Sequence, residues 1–197
     1  MRILLSCGLL LGSATAALAQ ATLPTQPQPT IKPIGTIAAP EKKMPEDKSK
    51  RPSPPAVAKA SVGGTDVTID YSRPSLKGRA AFGDKSPLAP VGEVWRTGAN
   101  EATTFMVSKA VKINGQPLAA GTYGLFTIPG ASEWTIIFNK TAKQWGAYEY
   151  KAADDVLRIK VKPTKLAAPV EQFTISADKS GKVAMMWGAT EAAFMVK

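Results

Sequence analysis

The chain has 197 residues, with 25 Lys and Arg against 15 Asp and Glu, no histidine and a formal charge of +10 at pH 7. Its single cysteine is Cys7, close to the N-terminus. This composition excludes Cys–His and Ser–His nucleophile pairs, histidine general bases and the common zinc and copper sites. We therefore predict no metal site and no cofactor, and a non-catalytic role rather than an enzymatic one.

Residues 1–19 have the order of a secretory signal peptide. A single charge at Arg2 precedes an apolar run over residues 3–11, and small residues follow at Ala17 and Ala19. This order predicts cleavage after Ala19, which would remove Cys7 and leave no transmembrane segment. The mature protein would then be periplasmic or secreted and free of disulfides. An uncleaved membrane anchor is the alternative.

Residues 20–59 contain nine prolines among Thr, Gln, Lys and Ala. Proline removes backbone donors and fixes φ, and the segment has little apolar surface with which to offset the entropy of ordering. We predict a disordered linker over residues 20–59, followed by a folded domain over residues 60–197.

The domain begins with alternating residues and then a long loop. In Thr65–Tyr71 the apolar side chains of Val67, Ile69 and Tyr71 share one face, which predicts a half-buried strand. Ser72–Pro90 is too rich in Gly and Pro for regular structure. We predict a long ordered loop there, and loops of this length inside compact domains are often functional.

The middle of the chain predicts several antiparallel strands. Asn114–Gly115 is typical of a two-residue type I′ hairpin turn, which needs positive φ at both positions. Gly121–Ile128 is apolar on both faces, which indicates a central strand. The aromatic residues in phase with these apolar patterns are assigned to the core, and they are Phe126, Trp134, Phe138 and Trp187.

The segment Asp154–Pro163 directs Leu157 and its apolar neighbours inward and a basic stripe outward, formed by Arg158, Lys160 and Lys162. We interpret the stripe either as the solvent-exposed face of an antiparallel sheet or as a surface that binds an anionic envelope polymer. Altogether the pattern predicts an all-β fold, an antiparallel β-sandwich of about nine strands.

The most unusual stretch is Val94–Thr104, because it places an aromatic ring, a cation, an amide and a carboxylate close together. Arginines before the main strands and a tryptophan after them complete the candidate site, which comprises Arg73, Arg79, Trp95, Arg96, Asn100, Glu101 and Trp145. One hypothesis is a pocket where arginine and tryptophan bind a small anionic or carbohydrate ligand. The other is a buried clasp that pins the long loop to the sheet through Arg73, Arg96, Asn100 and Glu101.

An enzymatic alternative uses carboxylates, with Glu101 as acid or base and Glu93 or Asp84 as its partner, as in a glycoside hydrolase. No catalytic residue can be assigned on the sequence alone. The basic charge would suit an anionic partner, but the export signal and the absence of a recognition motif argue against nucleic acid.

Five motifs give the chain from Thr65 to Lys197 a family resemblance. They read Y-S-R-P-S-L-K-G-R, G-E-V-W-R-T-G-A-N-E-A-T, L-A-A-G-T-Y-G-L-F-T-I-P, E-W-T-I-I-F-N-K and Q-W-G-A-Y, at Tyr71–Arg79, Gly92–Thr103, Leu118–Pro129, Glu133–Lys140 and Gln144–Tyr148. With these motifs the chain resembles the exported bacterial family known as domain of unknown function 2911. The resemblance implies a secreted or periplasmic β-rich domain, and it carries over no activity and no catalytic residues.

Overall fold

The computed structural model describes residues 47–83 and 86–197. The predicted signal peptide, Cys7 and the linker up to residue 46 lie outside the described residues, as does Asp84. Nothing in the structure therefore bears on those predictions.

The all-β prediction is confirmed, since the described residues form twelve strands, two short 3-10 helices and no α-helix. Within this part of the chain, no helix is long and apolar enough to span a membrane. The 3-10 helices are Lys48–Lys50 and Ala152–Asp154. The strands are β1 (Pro55–Val62), β2 (Thr65–Ser72), β3 (Phe82–Gly83), β4 (Ala89–Pro90), β5 (Thr104–Val107), β6 (Val111–Ile113), β7 (Gln116–Leu118), β8 (Gly121–Ile128), β9 (Trp134–Asn139), β10 (Asp155–Val161), β11 (Thr164–Ala177) and β12 (Lys182–Met195).

The strands form the two layers of a sandwich. One layer is a six-stranded antiparallel sheet in the order β1-β2-β5-β8-β9-β10. The other is the long β11–β12 hairpin, which a bridge between Ile113 and Val196 joins to the β6–β7 hairpin. Between the layers, Phe105 and Phe138 of the sheet meet Phe194 of β12 with ring centroids 5.9 and 5.6 Å away. The described residues contain no cysteine, so the core is held together by packing, to which these aromatic rings contribute large buried surfaces.

The folded domain begins earlier than the predicted boundary at Ala60. Strand β1 starts at Pro55 and pairs with β2 along its whole length, through a turn at Gly63 and Gly64 with φ of 56° and 76°. Proline is tolerated as the first residue of an edge strand because its missing N–H faces away from the ladder. The prediction of a linker through Lys59 is therefore wrong for residues 55–59, where three clustered prolines hid the start of a strand.

Two local predictions are confirmed. Asn114 and Gly115 have φ of 46° and 87°, and they connect Ile113 directly to its pairing partner Gln116. Strand β8 is central and buried on both faces, with Leu125 in the main core and Phe126 on the opposite side.

The outer face of β8 and β9 is covered by loops, and these loops contain most of the candidate site. Just before residues 96–102, the backbone of Trp95 forms two hydrogen bonds with that of Thr127 in β8, with N–O distances of 2.7 and 2.9 Å. After it, the carbonyl of Thr103 accepts from the amide of Leu125 on the same strand, at 2.8 Å. Residues 96–102 leave the sheet between these two points, and we call them the Arg96 loop. A second loop, residues 140–151, packs beside it and contributes Ala147 and Tyr150 to a small apolar cluster with Phe126.

Candidate functional site

Trp95 belongs to the core rather than to a ligand surface. Its side chain is 4% exposed and stacks on Trp187 of β12, with ring centroids 5.7 Å apart and planes inclined by 11°. Its indole N–H donates to the carbonyl of Gly98 at 3.1 Å. The tryptophan therefore supports the Arg96 loop from beneath, and it has no open face for a sugar ring.

Arg73 and Arg79 are both bonded within the protein, at separate places. Arg73 donates from Nε to the carbonyl of Phe173 at 3.1 Å and from Nη2 to Oγ1 of Thr174 at 2.8 Å, which ties the end of β2 to β11. The exposed Arg79 donates to the carbonyls of Ser75 and Leu76 in its own loop. Neither guanidinium has the free donor fork that an anionic ligand requires.

Glu101 lies at the centre of an ion-pair cluster that involves the chain before β1. Its two carboxylate oxygens accept from Lys48 Nζ at 2.8 Å and from Arg51 Nη1 at 2.7 Å. Partial burial alone would raise the pKa of the Glu101 carboxyl, but hydrogen bonds from Lys48, the Glu101 backbone and Arg51 lower that pKa to about 2. The side chain is therefore a carboxylate at any ordinary pH.

Asn100 and Trp145 complete this cluster. Asn100 donates from Nδ2 to the carbonyl of Ser53 at 3.0 Å. The guanidinium carbon of Arg51 lies 5.6 Å from the ring centroid of Trp145, within the range of a cation–π interaction. We call residues 48–53 the strap, because they cross both loops and are held by each.

The ion-pair cluster around Glu101 differs from the predicted clasp in its partners and in the segment that it fastens. The hypothesis joined Arg73 and Arg96 to Glu101, whereas the carboxylate pairs with two cations of the strap. The cluster of Glu101, Lys48 and Arg51 fastens the chain before β1, not the loop over residues 72–90. The strap fell inside the predicted linker, and no local pattern connects it to a carboxylate about fifty residues away.

Arg96 differs from every other candidate because its charge has no partner among the described residues. Its Nε atom is almost completely inaccessible and makes no hydrogen bond within the described residues, and none of the described carboxylates lies within ion-pair distance. Burial lowers the pKa of the guanidinium, and the nearby phenol of Tyr148 partly offsets that effect. An unpaired, half-buried cation destabilises a protein unless something else neutralises it.

The Arg96 side chain lines a surface pocket of about 220 Å³. Its other walls are mainly apolar and come from Leu88, Pro90, Val94, Trp95, Ala147 and Tyr148. Tyr148 is 84% exposed, so its ring is open to solvent. We call this feature the Arg96 pocket.

The backbone beneath the pocket is held in a strained conformation. Thr97 has φ of +57° and is fully buried, although left-handed backbone is rare for a β-branched residue. Its carbonyl accepts from the hydroxyl of Thr103 at 2.7 Å, and its own hydroxyl lies 3.3 Å from that of Thr127. Such strain persists where surrounding contacts impose it, often at a functional site. Thr97 directly follows Arg96 in the chain.

Four larger clefts in the described part of the chain lack this combination of features, and two of them, of about 460 and 280 Å³, lie beside Arg158 of β10 and beside Lys48 of the strap. A cleft of about 700 Å³ lies along β1 and β2, and one of about 540 Å³ lies beside Phe82 and Trp134. In the described part of the chain, the only buried side-chain atoms without a hydrogen-bond partner are Arg96 Nε and Gln144 Oε1, and neither residue lines these clefts. The chemistry thus favours the smaller pocket.

Two other sequence hypotheses gain little from the geometry. Glu101 is ionised and held by two cations, so it is poorly suited to act as a general acid. The basic stripe on β10 is partly neutralised, since Arg158 pairs with Asp155 and Lys160 with Glu133, each at 2.7 Å. The described residues also contain no group of three His, Cys, Asp or Glu that could hold a metal ion.

Comparison with known proteins gives one match. A family model described as protein of unknown function (DUF2911) matches residues 53–196, beginning two residues before β1. No curated protein and no solved structure matches the chain.

Proposed function

The chain belongs to the DUF2911 family, and we propose that it is a non-catalytic binding module that takes a small organic anion in the Arg96 pocket. The observation that carries the proposal is the half-buried guanidinium of Arg96, which has no counter-charge among the described residues. Buried charges in proteins are generally paired, because an unpaired one retains its full desolvation cost. A ligand anion would supply the missing partner.

The pocket walls favour a carboxylate over a phosphate. A planar guanidinium binds a carboxylate through two parallel hydrogen bonds. Arg96 is the only cation among the described residues that line the pocket, and the surrounding Leu88, Pro90 and Val94 offer apolar surface. One charge with apolar walls matches a monocarboxylate on an organic ring better than a compact dianion, which would call for more cations.

Tyr148 supports an acidic sugar as the ligand class. Its ring is open to solvent and lies close enough to Arg96 to affect the pKa of the guanidinium. Binding sites commonly combine an aromatic surface with a few well-placed polar groups. A sugar ring could pack on Tyr148 while its carboxylate pairs with Arg96. The periplasmic or secreted location that residues 1–19 predict would place this module among envelope polysaccharides.

The proposal is tested by titrating the protein with glucuronate, acetate and inorganic phosphate, with binding followed by calorimetry and by NMR. We expect saturable binding of glucuronate, weaker binding of acetate and little of phosphate. Arg96→Gln should abolish binding, while Arg79→Gln should leave it unchanged because Arg79 bonds only within its own loop. Equal binding by the wild type and Arg96→Gln, or no saturable binding of any of these anions, would overturn the proposal.

A purely structural envelope protein is the second candidate. It is favoured by the fact that Arg73, Asn100 and Glu101 all bond within the chain. Under that hypothesis Arg96 would be an uncompensated cost, and none of the anions would bind. The same titration therefore separates the two candidates.

A further inference from the structure

We infer that the strap, residues 48–53, controls the Arg96 pocket by holding Glu101 away from Arg96, so that strap docking and ligand binding are coupled. This inference rests on the proposed function and adds regulation to the same site. It makes Glu101, Lys48 and Arg51 positioning residues, which act on the ligand through Arg96.

The strap contacts both loops that form the pocket. In the Arg96 loop, the Glu101 carboxylate forms ion pairs with Lys48 at 2.8 Å and with Arg51 at 2.7 Å. Asn100 of the same loop donates a hydrogen bond to the carbonyl of Ser53 at 3.0 Å. In the second loop, the ring of Trp145 forms a cation–π interaction with Arg51, whose guanidinium carbon lies 5.6 Å from the ring centroid. The strap therefore bonds to the two loops that contribute Arg96, Ala147 and Tyr148 to the pocket.

The two loops are also bonded directly to each other. The amide of Gly146 donates to the carbonyl of Asn100 at 3.0 Å, and the amide of Ala102 donates to the carbonyl of Gln144 at 3.0 Å. The ring of Tyr148 packs on Gly146, where an added Cβ would lie 3.0 Å from a ring carbon. A shift of the Asn100 backbone would therefore reach Tyr148 as well as Arg96.

Charge gives the coupling its direction. With the strap docked, the Glu101 carboxylate is neutralised by two cations, and Arg96 has no charged partner among the described residues. With the strap released, the same seven-residue loop would carry an unneutralised carboxylate five positions along the chain from an unpaired guanidinium. That carboxylate would repel an anionic ligand or pair with Arg96 in its place. Docking should therefore favour the ligand, and by linkage the ligand should favour docking to the same extent.

The test uses the full chain, with glucuronate as the probe. The double variant Lys48→Ala/Arg51→Ala releases the strap, and Lys50→Ala is the matched control, because Lys50 lies in the strap but points to Asp47 and not to Glu101. Glu101→Gln is then added to the double variant. Affinity is measured by calorimetry, and strap docking is followed separately by the indole N–H signal of Trp145, with that of the buried Trp187 as an internal reference.

We expect the double variant to bind glucuronate about tenfold more weakly, within the usual range of coupling between sites, and Lys50→Ala to bind normally. Adding Glu101→Gln should restore most of the affinity, which a merely structural role of the strap would not predict. A double variant with a shifted Trp145 signal and unchanged affinity would overturn the coupling while leaving the pocket intact. If wild-type protein binds no glucuronate, the proposed function fails and the inference fails with it, whatever the Trp145 signal shows.

Discussion

Replacing Arg96 with methionine should make this protein more stable while abolishing its ligand binding. Most substitutions of a half-buried residue destabilise a protein. Arg96→Met should act in the opposite direction because methionine keeps a flexible apolar stem of similar length but carries no charge to desolvate. The Nε atom that it removes is inaccessible to solvent and bonded to nothing in the described chain.

The expected magnitude follows from that one atom. A buried donor without a partner costs about 1–3 kcal/mol, and some of this gain is lost because the guanidinium end is only partly buried. We therefore expect Arg96→Met to raise the free energy of unfolding by about 1 kcal/mol. For a domain of this size, that change corresponds to an increase in Tm of about 2–4 °C.

The assay is chemical denaturation together with calorimetry, without added anions, and Arg73→Met is the matched control. Arg73 donates two hydrogen bonds to β11, at 3.1 and 2.8 Å, so its replacement should lower stability by about 1–3 kcal/mol. Opposite signs for the two arginines would support our assignment. A loss of 1 kcal/mol or more in Arg96→Met would show that Arg96 stabilises the fold, and the reasoning behind the pocket would be wrong.

Three further predictions concern the surroundings of the pocket. Gly98→Ala would place a Cβ 2.9 Å from the carbonyl oxygen of Ser72; we expect a loss of about 2 kcal/mol in urea denaturation, and an unchanged midpoint would contradict the packing described. Tyr150→Phe removes a hydroxyl that donates to Asp155 at 2.6 Å. Burial, followed by the bond to Asp155, raises the pKa of this tyrosine to about 12. The variant should lose about 1–2 kcal/mol of stability, and the tyrosine ionisation near pH 12 should disappear from its ultraviolet pH titration. The pKa of Glu101 falls from 4.5 to about 2 on folding, so its contribution is complete above pH 4.5 and disappears as the pH falls towards 2. The Glu101 side chain is 38% exposed, so the difference in stability between wild type and Glu101→Gln should be at most about 1 kcal/mol at pH 6. That difference should vanish near pH 2. A difference that stays constant between these pH values would show that the ion pairs contribute nothing.

The strands could be predicted from the sequence because their signals are local. Alternation over Thr65–Tyr71, the Asn114–Gly115 turn and the two apolar faces of Gly121–Ile128 each depend on neighbouring residues only. Strand β1 also had a local signal, the Gly63–Gly64 turn after alternating residues, but the prolines before it outweighed that signal. Proline excludes a central strand, not the first position of an edge strand.

The candidate site was only partly predictable, because its meaning depends on contacts between distant segments. The sequence identified Arg96 and Glu101 as unusual neighbours and suggested that they pair. In the structure Glu101 pairs with Lys48 and Arg51, and Arg96 has no partner among the described residues. Trp95 was assigned to a ligand surface because polar residues surround it in sequence, yet its indole lies in the core. Nothing in the sequence pointed to Tyr148 as a pocket residue beyond its place in the motif Q-W-G-A-Y.

The position of β1 at the edge of the sheet affects how the protein should be shortened for experiments. A fragment starting at Ala60 would lack the rungs that pair Pro55–Lys59 with Thr68–Ser72. It would expose a row of unpaired amides and carbonyls along β2, and an open edge of that kind recruits strands from other molecules. Lys59, a charged residue that discourages such stacking in the intact domain, would be lost with it. Truncation at the point where the proline-rich composition ends would therefore favour aggregation, whereas a start before the strap would keep β2 paired with β1.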